Sequence, residues 1–423
     1  MSFLKPSLYW ALWFTLLGAQ TPIVSEVVFS GQKVTKPYII QRELQHPIGV
    51  PLDSALAADD RDRLENLGIF AGVTWEAIPL PDGTVQLHYR VVESFRFLGG
   101  PLPFYEENTG WSLKFGLVIN NFRGRNETLS MGGSIGGQRM FGLDFYDPWI
   151  VGDHVSLYIQ TGRNVEAHPF LPYDVQTNSF ESNIGRYFGY EWKTSLGFEL
   201  EEKSFVGSHE RLDYRYLAPQ GTFQYDTRDI YLEPTRGIHI VHSFYSFIYF
   251  DQRDRGTTTL LRQSYSMFRT IRKHPQKLIL ALNFASRITL GAQKAVWLDY
   301  IGGSYTVRGW SLPTTTLYED GTQPYRFGQH YGTASMELRQ VIIPRYVTRF
   351  NTEFGLTIAY FIDAGLAGNS YAELTRQTLL WGTGFSCQIP WPVFGIIRLD
   401  YGWGFRRGAF RDRAFHFSLQ QKF

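Results

Sequence analysis

One cysteine occurs in 423 residues, Cys387, so no intramolecular disulfide can brace this chain. Set in an alternating stretch, that cysteine reads as a small apolar wall residue. Excess charge is missing too. The 41 Lys+Arg nearly balance 39 Asp+Glu, which leaves no basic field of the kind that binds nucleic acid. No long apolar run interrupts the body of the chain, and the mean hydropathy is -0.20. Those two facts exclude a bundle of membrane-spanning helices. They leave open a membrane barrel, whose strands alternate and average to near-neutral hydropathy. The ten histidines show no HxxxH spacing, so neither a metal nor a cofactor is expected.

What is present fits that remaining class. The 41 glycines, 25 tyrosines, 11 tryptophans and 33 phenylalanines suit turns, wall positions and rings at two membrane interfaces. Lys5, the apolar stretch from Leu8 to Leu17 and the small residues Gly18 and Ala19 read as a secretory signal over 1–19.

Residues 24–94 have a soluble α+β pattern. Val27-Val28-Phe29 is a short strand. Thr35-Lys36-Pro37 opens a helix reaching Leu44, with Thr35 as its cap. Ser54 caps a second helix that turns Leu56, Leu64 and Leu67 inward and Asp59 to Arg63 toward water, ended by Gly68. Val73 to Ile78 and Val85 to Val92 alternate around the turn Pro81-Asp82-Gly83.

From residue 95 onward, alternating segments of about ten residues are separated by Gly, Pro, Asp and Asn. The spacing predicts about sixteen strands, centred on Phe97, Leu113, Met131, Leu143, Leu157, Ile184, Leu196, Phe223, Val241, Ser266, Leu282, Met336, Ile358, Gly384, Leu399 and Phe417. The predicted fold is mainly β: an antiparallel transmembrane barrel over 95–423, preceded by one α+β domain.

One long connection stands out, from about Ile301 to Gly328. It carries Gly302-Gly303-Ser304-Tyr305-Thr306-Val307-Arg308-Gly309-Trp310, a single cation framed by glycines. Downstream lie Glu337, then Phe361, Asp363 and Gly365. Strand parity puts Phe361 and Asp363 on the polar face. A loop folded into the barrel would bring Arg308 to Glu337 and Asp363 through directional guanidinium hydrogen bonds. Catalysis is not expected. The carboxylate pair Asp226 and Asp229 lies among arginines in a strand-end turn, and Ser304 has no elbow motif or base beside it.

Several motifs carry a family resemblance. The first is the Phe-Ser-Gly after the first strand, with Ile40 to Leu44, Leu64 to Phe70 and Val91-Val92-Glu93; that segment resembles a POTRA domain. The others are the Val307-Arg308-Gly309-Trp310 loop, Glu337-Leu338-Arg339, Phe361-x-Asp363-x-Gly365, and Asp226-Thr227-Arg228-Asp229 with Pro234-Thr235-Arg236-Gly237. Together they resemble the BamA/TamA superfamily of outer-membrane proteins. The closing strand with Phe415, Phe417, Leu419 and Phe423 resembles the signal by which such barrels are recognised for assembly, and implies a last aromatic at the lipid interface. There are two departures: room for one POTRA domain where insertases usually carry several, and Trp310 where Phe or Tyr is commoner.

The resemblance implies a bacterial outer-membrane barrel with its POTRA domain in the periplasm. Its implied partners are outer-membrane lipid and unfolded clients or periplasmic proteins, met by strand addition at the POTRA edge. Two function classes follow: assembly or translocation of client proteins, or a passive lipid or solute conduit or structural partner in an envelope complex. Gly99, Gly100 and Pro101 weaken the first strand, which favours an openable seam and the first class.

Overall fold

The computed structural model describes residues 21–106, 109–152, 154–250, 256–292, 294, 297–349, 352–391 and 395–423. The expected signal segment 1–19 lies outside the described residues. The N-terminal domain comprises β1 (Val24–Ser30), α1 (Pro37–Gln41), α2 (Ser54–Asn66), β2 (Phe70–Pro79) and β3 (Val85–Glu93). Its sheet runs β1-β3-β2, with β1 parallel and β2 antiparallel to β3. Alternation along β3 buries Val85, Leu87, Tyr89 and Val91 against Ile39 and Ile40 of α1 and Leu64 of α2.

Three local expectations change. Thr35 does not cap α1. Its hydroxyl and its backbone N–H donate to Glu93 Oε1 at 2.6 and 2.7 Å, and α1 has no side-chain cap. The cap of α2 is Asp53, which accepts from the N–H groups of Ala55 and Leu56; Ser54 is the first helical residue. Asp60 does not face water. It is fully buried and accepts from Gln45 N at 2.9 Å, His46 N at 3.1 Å and Tyr89 Oη at 3.0 Å, with Arg63 paired beside it. A buried carboxylate needs such donors, and these tie the α1–α2 connection to the helix.

The barrel strands follow in order: β4 (Phe97–Glu106), β5 (Gly110–Phe122), β6 (Glu127–Gly136), β7 (Gln138–Val151), β8 (Val155–Ala167), β9 (Asp174–Phe188), β10 (Trp192–Val206), β11 (Arg211–Asp226), β12 (Gly237–Tyr249), β13 (Thr257–Arg272) and β14 (Leu278–Gly291). The long connection holds β15 (Asp299–Tyr300), α3 (Thr315–Glu319) and β16 (Phe327–Gly328). Then come β17 (His330–Val347), β18 (Glu353–Gly368), β19 (Leu380–Trp391), β20 (Gly395–Arg406) and β21 (Ala409–Ser418). Apart from β15 and β16, these strands form a single 16-stranded sheet in sequence order, with β21 at one edge and β4 at the other. Every one of the sixteen predicted strand centres falls within its own strand.

Two faces separate by parity. Outward stand large apolar residues such as Phe141, Ile184, Leu196, Phe385 and Phe415. Inward, buried and polar, stand Ser335, Glu337, Arg339, Asp363, Arg398 and Asp400. A wall with apolar side chains exposed outside and charges enclosed inside suits lipid on one face only.

The N-terminal domain sits at the end of the barrel where β4 begins. There the backbone N–H of Lys36 donates to Gly124 O at 2.8 Å, and Asn121 Nδ2 donates to Thr35 Oγ1 at 2.8 Å. The Asn66 side chain of α2 donates to Asp229 O and accepts from Tyr231 N, both at 2.9 Å. Arg345 of β17 pairs with Glu65, and the Arg42 guanidinium lies 4.2 Å above the Trp149 ring.

Candidate functional site: a loop clasped inside the barrel

The connection between β14 and β17 closes at its neck through the short β15–β16 ladder. Beyond the neck it folds on itself. Gly302 N donates to Thr306 Oγ1 at 2.8 Å, and Gly303 N donates to Trp310 O at 2.9 Å. A second arginine, Arg326, holds the base of the loop by donating to Ile301 O at 3.1 Å, to Gln323 Oε1 at 3.0 Å and to Ser311 O. Ile301, Val307 and Trp310 are fully buried against Ala367 and Leu380.

This geometry projects Arg308 inward, where it is fully buried. Its Nε and Nη2 meet the two oxygens of Asp363 at 2.8 and 3.1 Å, and its backbone N–H donates to Asp363 Oδ2 at 3.0 Å. Arg308 Nη1 lies 2.6 Å from Glu337 Oε1 and 3.6 Å from Asp400 Oδ1. The guanidinium plane sits 3.8 Å from the centre of the Phe361 ring. The predicted partners Glu337, Phe361 and Asp363 are therefore all in contact with Arg308. Gly365 is also in place, because a Cβ there would stand 2.7 Å from Val307 Cγ2.

Around this pair the charges form a network. Arg339 Nε donates to Glu337 Oε2 at 2.7 Å, and Arg398 Nε donates to Asp400 Oδ2 at 2.8 Å. Arg398 also donates to Ser304 O of the loop at 2.7 Å. A bidentate guanidinium–carboxylate pair stacked on a ring is a site that lysine cannot reproduce. Burial this complete offers no solvent screening, so removing one partner leaves an uncompensated charge.

The loop rests on a bed that sequence reading missed. Gly382 pairs across the ladder with Gly404, and Gly384 with Gly402. Added Cβ atoms would reach 2.8 Å from the Phe361 ring at Gly384 and Gly402, 2.7 Å from Gly309 O at Gly404, and would collide with Arg308 O at Gly382. Gly309 itself has φ +86, and its Cβ would lie within 2.8 Å of the Trp403 backbone, so no other residue fits there. The available signal was Gly-x-Gly on two consecutive strands. Also missed were contacts to the edge strand: Ser311 N and Oγ donate to Asp412 Oδ2 at 2.9 and 2.6 Å, and His416 Nε2 accepts from Gly309 N at 3.2 Å.

Two other predicted groups lie elsewhere. Asp226, Arg228, Asp229, Pro234 and Gly237 build the turn 227–236 at the N-terminal-domain end, away from Arg308. There Arg228 grips Asp226 at 2.9 and 2.7 Å, and Asp229 accepts from Thr235 N and Oγ1 at 2.9 and 2.6 Å. This turn receives Asn66, so its work is docking α2. In the closing segment, Phe415 faces outward with Phe417 beside it on the same face. Phe423 does not reach the lipid interface. β21 ends at Ser418, before Leu419, and the chain then turns into the barrel, where the Phe423 ring lies 6.2 Å from Phe268 and 5.2 Å from the Arg339 guanidinium. A lysine at 422 draws it there, by pairing with Asp363 at 2.7 Å.

Comparison with known proteins agrees with this geometry. Residues 121–423 match the family model for the Omp85 superfamily domain, and residues 22–94 match a POTRA model described as a surface antigen variable number repeat. The outer membrane protein assembly factor BamA of Neisseria meningitidis serogroup B is 26% identical over 162 residues, 37% of this chain and 19% of that protein. The match thus spans about a fifth of that relative's length. Among solved structures, BamA from Haemophilus ducreyi lacking POTRA domains 1–3 superposes with a TM-score of 0.59 at 16% identity, covering 93% of this chain and 84% of the other. CdiB from Acinetobacter baumannii gives 0.53 at 15% identity, covering 94% and 73%. With strands, loop clasp and both domain matches in agreement, the chain is a member of the Omp85 superfamily, an outer-membrane β-barrel carrying a POTRA domain in the periplasm.

Proposed function

We propose that the protein assists the insertion, assembly or translocation of client proteins at the outer membrane, and that its role is mechanical rather than catalytic. One observation carries the reading: the 16-stranded sheet has β4 and β21 as its two edges, with no ladder joining them among the described residues. An unpaired edge offers backbone N–H and C=O groups to an incoming strand. Gly99, Gly100 and Pro101 in β4 reduce what that edge gains by closing on β21. A passive lipid or solute conduit fits less well, because the clasped loop and the segment after β21 both occupy the interior.

The POTRA sheet offers a second edge for a client or partner. β2 lies beside the barrel, with Gly72 against Val347, so the accessible edge is β1 over residues 26–30.

The test is to weld the seam. In a Cys387→Ser background, Gly99→Cys is combined in turn with Phe415→Cys and Phe417→Cys, and client assembly is measured before and after oxidation. A welded seam should abolish assembly and reduction should restore it. Full assembly through a quantitatively cross-linked seam would overturn the proposal.

A further inference from the structure

We propose that the segment 419–423 is a releasable latch, in which Lys422 is a positioning residue that ties the edge strand β21 to the tip of the lumen loop. Lys422 Nζ donates to Thr306 O of the loop at 2.6 Å and stands 2.7 Å from Asp363 Oδ2, on the same carboxylate that holds Arg308. Gln421 Nε2 donates to Gln388 Oε1 at 3.2 Å, and the Phe423 ring seats between Phe268 and Arg339. The latch therefore enters from the periplasmic end while the loop enters from the opposite end, and they meet on one side chain.

Charge permits this contact to open, and the number of contacts explains why it opens before the Arg308 contact does. Without Lys422, the buried cluster contains Arg308, Arg339 and Arg398 against Glu337, Asp363 and Asp400. That is three cations to three carboxylates. Lys422 is a fourth cation held only by Thr306 O and Asp363, so its departure breaks two contacts and leaves a neutral cluster, whereas Arg308 is gripped by both oxygens of Asp363, by Glu337 and by the Phe361 ring. Space for withdrawal exists: a cavity of about 740 Å³ lies between the POTRA domain and the barrel mouth, lined by Gln421, Gln388, Arg339 and Glu65 among others.

Strand β21 is held from both sides of this junction. Asp412 and His416 take hydrogen bonds from Ser311 and Gly309 of the loop, and Lys422 returns to Thr306 just past the end of the strand. Docked, the latch turns the chain inward at Ser418 and keeps the end of β21 off the seam. Released, that end is free to extend along β4 or an incoming strand. The inference goes beyond the proposed function, and its readouts need no client.

The experiment follows the latch and the loop together in the full chain, reconstituted in lipid vesicles with a Cys387→Ser background. Gln388→Cys and Gln421→Cys are joined by a short thiol-specific cross-linker, and protease nicking of the loop is scored in the same samples. Lys422→Met should lower the cross-link yield at least fivefold and speed loop nicking by a similar factor. Lys422→Arg should restore both, and heat-modifiable gel mobility should show all barrels folded. If Lys422→Met fails to fold, the cross-link itself supplies the test: joining 388 to 421 with Lys422 intact should slow loop nicking relative to the uncross-linked protein. Wild-type cross-linking and nicking in Lys422→Met, or a cross-link that leaves nicking unchanged, would overturn the latch.

Discussion

The two halves of the barrel are held by different physics. In the far wall, β9, β10 and β11 have 15, 15 and 16 residues. β10 pairs with both neighbours from Trp192 to Val206 without a register shift. Near the seam, β4, β6 and β21 have 10 residues each. Five or six residues fewer is about 17–20 Å less strand at roughly 3.3 Å per residue. The far wall is therefore a ladder that needs little from the interior. Its lumen-side aromatics, Phe205, Tyr214, Tyr216 and Phe247, with Trp297 of the long connection laid against them, add packing to a wall already made. The strands beside the seam have less ladder and more clasp: an inserted loop, four glycines and buried ion pairs bind β19 to β21 to the long strands β17 and β18, of 18 and 16 residues. The lesson is that a barrel can keep one side ready to open by moving its cohesion from backbone pairing to side chains.

The strongest test of that contrast is Arg308→Ala. Breaking a fully buried pair costs about 3–5 kcal/mol. The screening that a water-filled lumen would supply is absent here, so the effect should approach that range. Loop nicking should rise sharply while the far-wall ladder keeps its hydrogen-exchange protection. Asp363→Ala should be at least as severe, since it releases Arg308 and Lys422 together. The double variant should fall well short of the sum. Equal loss of protection in β10 and in the loop would erase the distinction between the halves.

A smaller effect should come from the glycine bed. Gly382→Ala drives a methyl into Arg308 O and should lift the loop at about 1–3 kcal/mol, the usual range for overpacking. Gly142→Ala in the wall near the seam's other side is the control, because its Cβ would come no closer than 3.2 Å to Thr161 O. Thermal unfolding in detergent should separate the two variants. Indistinguishable midpoints, with equal loop nicking, would mean the loop does not rest on that bed.

Why the sequence disclosed the wall so fully, and the clasp only in part, follows from the range of the interactions. Alternation is a local signal, and the periodicity around Leu196 or Leu399 reports lipid facing one side. Parity likewise placed Asp363 inward beside Phe361. The partners of Arg308 became legible because a lone cation in a glycine-framed loop must meet buried carboxylates. Asp412, His416 and Lys422 carried no such mark. Asp412 and His416 lie 101 and 107 residues from Ser311 and Gly309, in a strand whose alternation says only which face each takes, and Lys422 lies past the end of that strand, 116 residues from Thr306. Phe423 misled for a related reason: an aromatic at the end of an alternating segment has the pattern of an interface anchor, and only Lys422 reaching Asp363 redirects it. In the POTRA domain, the run Asp59 to Arg63 looked uniformly solvated because the three donors to Asp60 from other segments, Gln45, His46 and Tyr89, are invisible to a helical wheel.

The smallest predicted effect concerns the turn 227–236, which joins the far wall to the POTRA domain and reaches toward β17 and β18. Burial pushes the Glu233 carboxyl up to about 7. Glu353 pushes the same way, while Arg339 and Lys277 oppose it. A carboxyl whose folded value is raised binds a proton that the undocked turn has already released. Docking is then most favourable below the ordinary value of 4.5 and weakens as pH rises from there to about 7; above that, both states are ionised and the dependence ends. Hydrogen-exchange protection of this turn, corrected for the intrinsic rate, should therefore fall between pH 5 and 8. Glu233→Gln should flatten the profile and keep the turn protected at pH 8, with the Arg308 loop unaffected in either protein. A Glu233→Gln turn that loses protection along the wild-type curve would show that another group drives the change, and that this joint does not depend on a neutral Glu233.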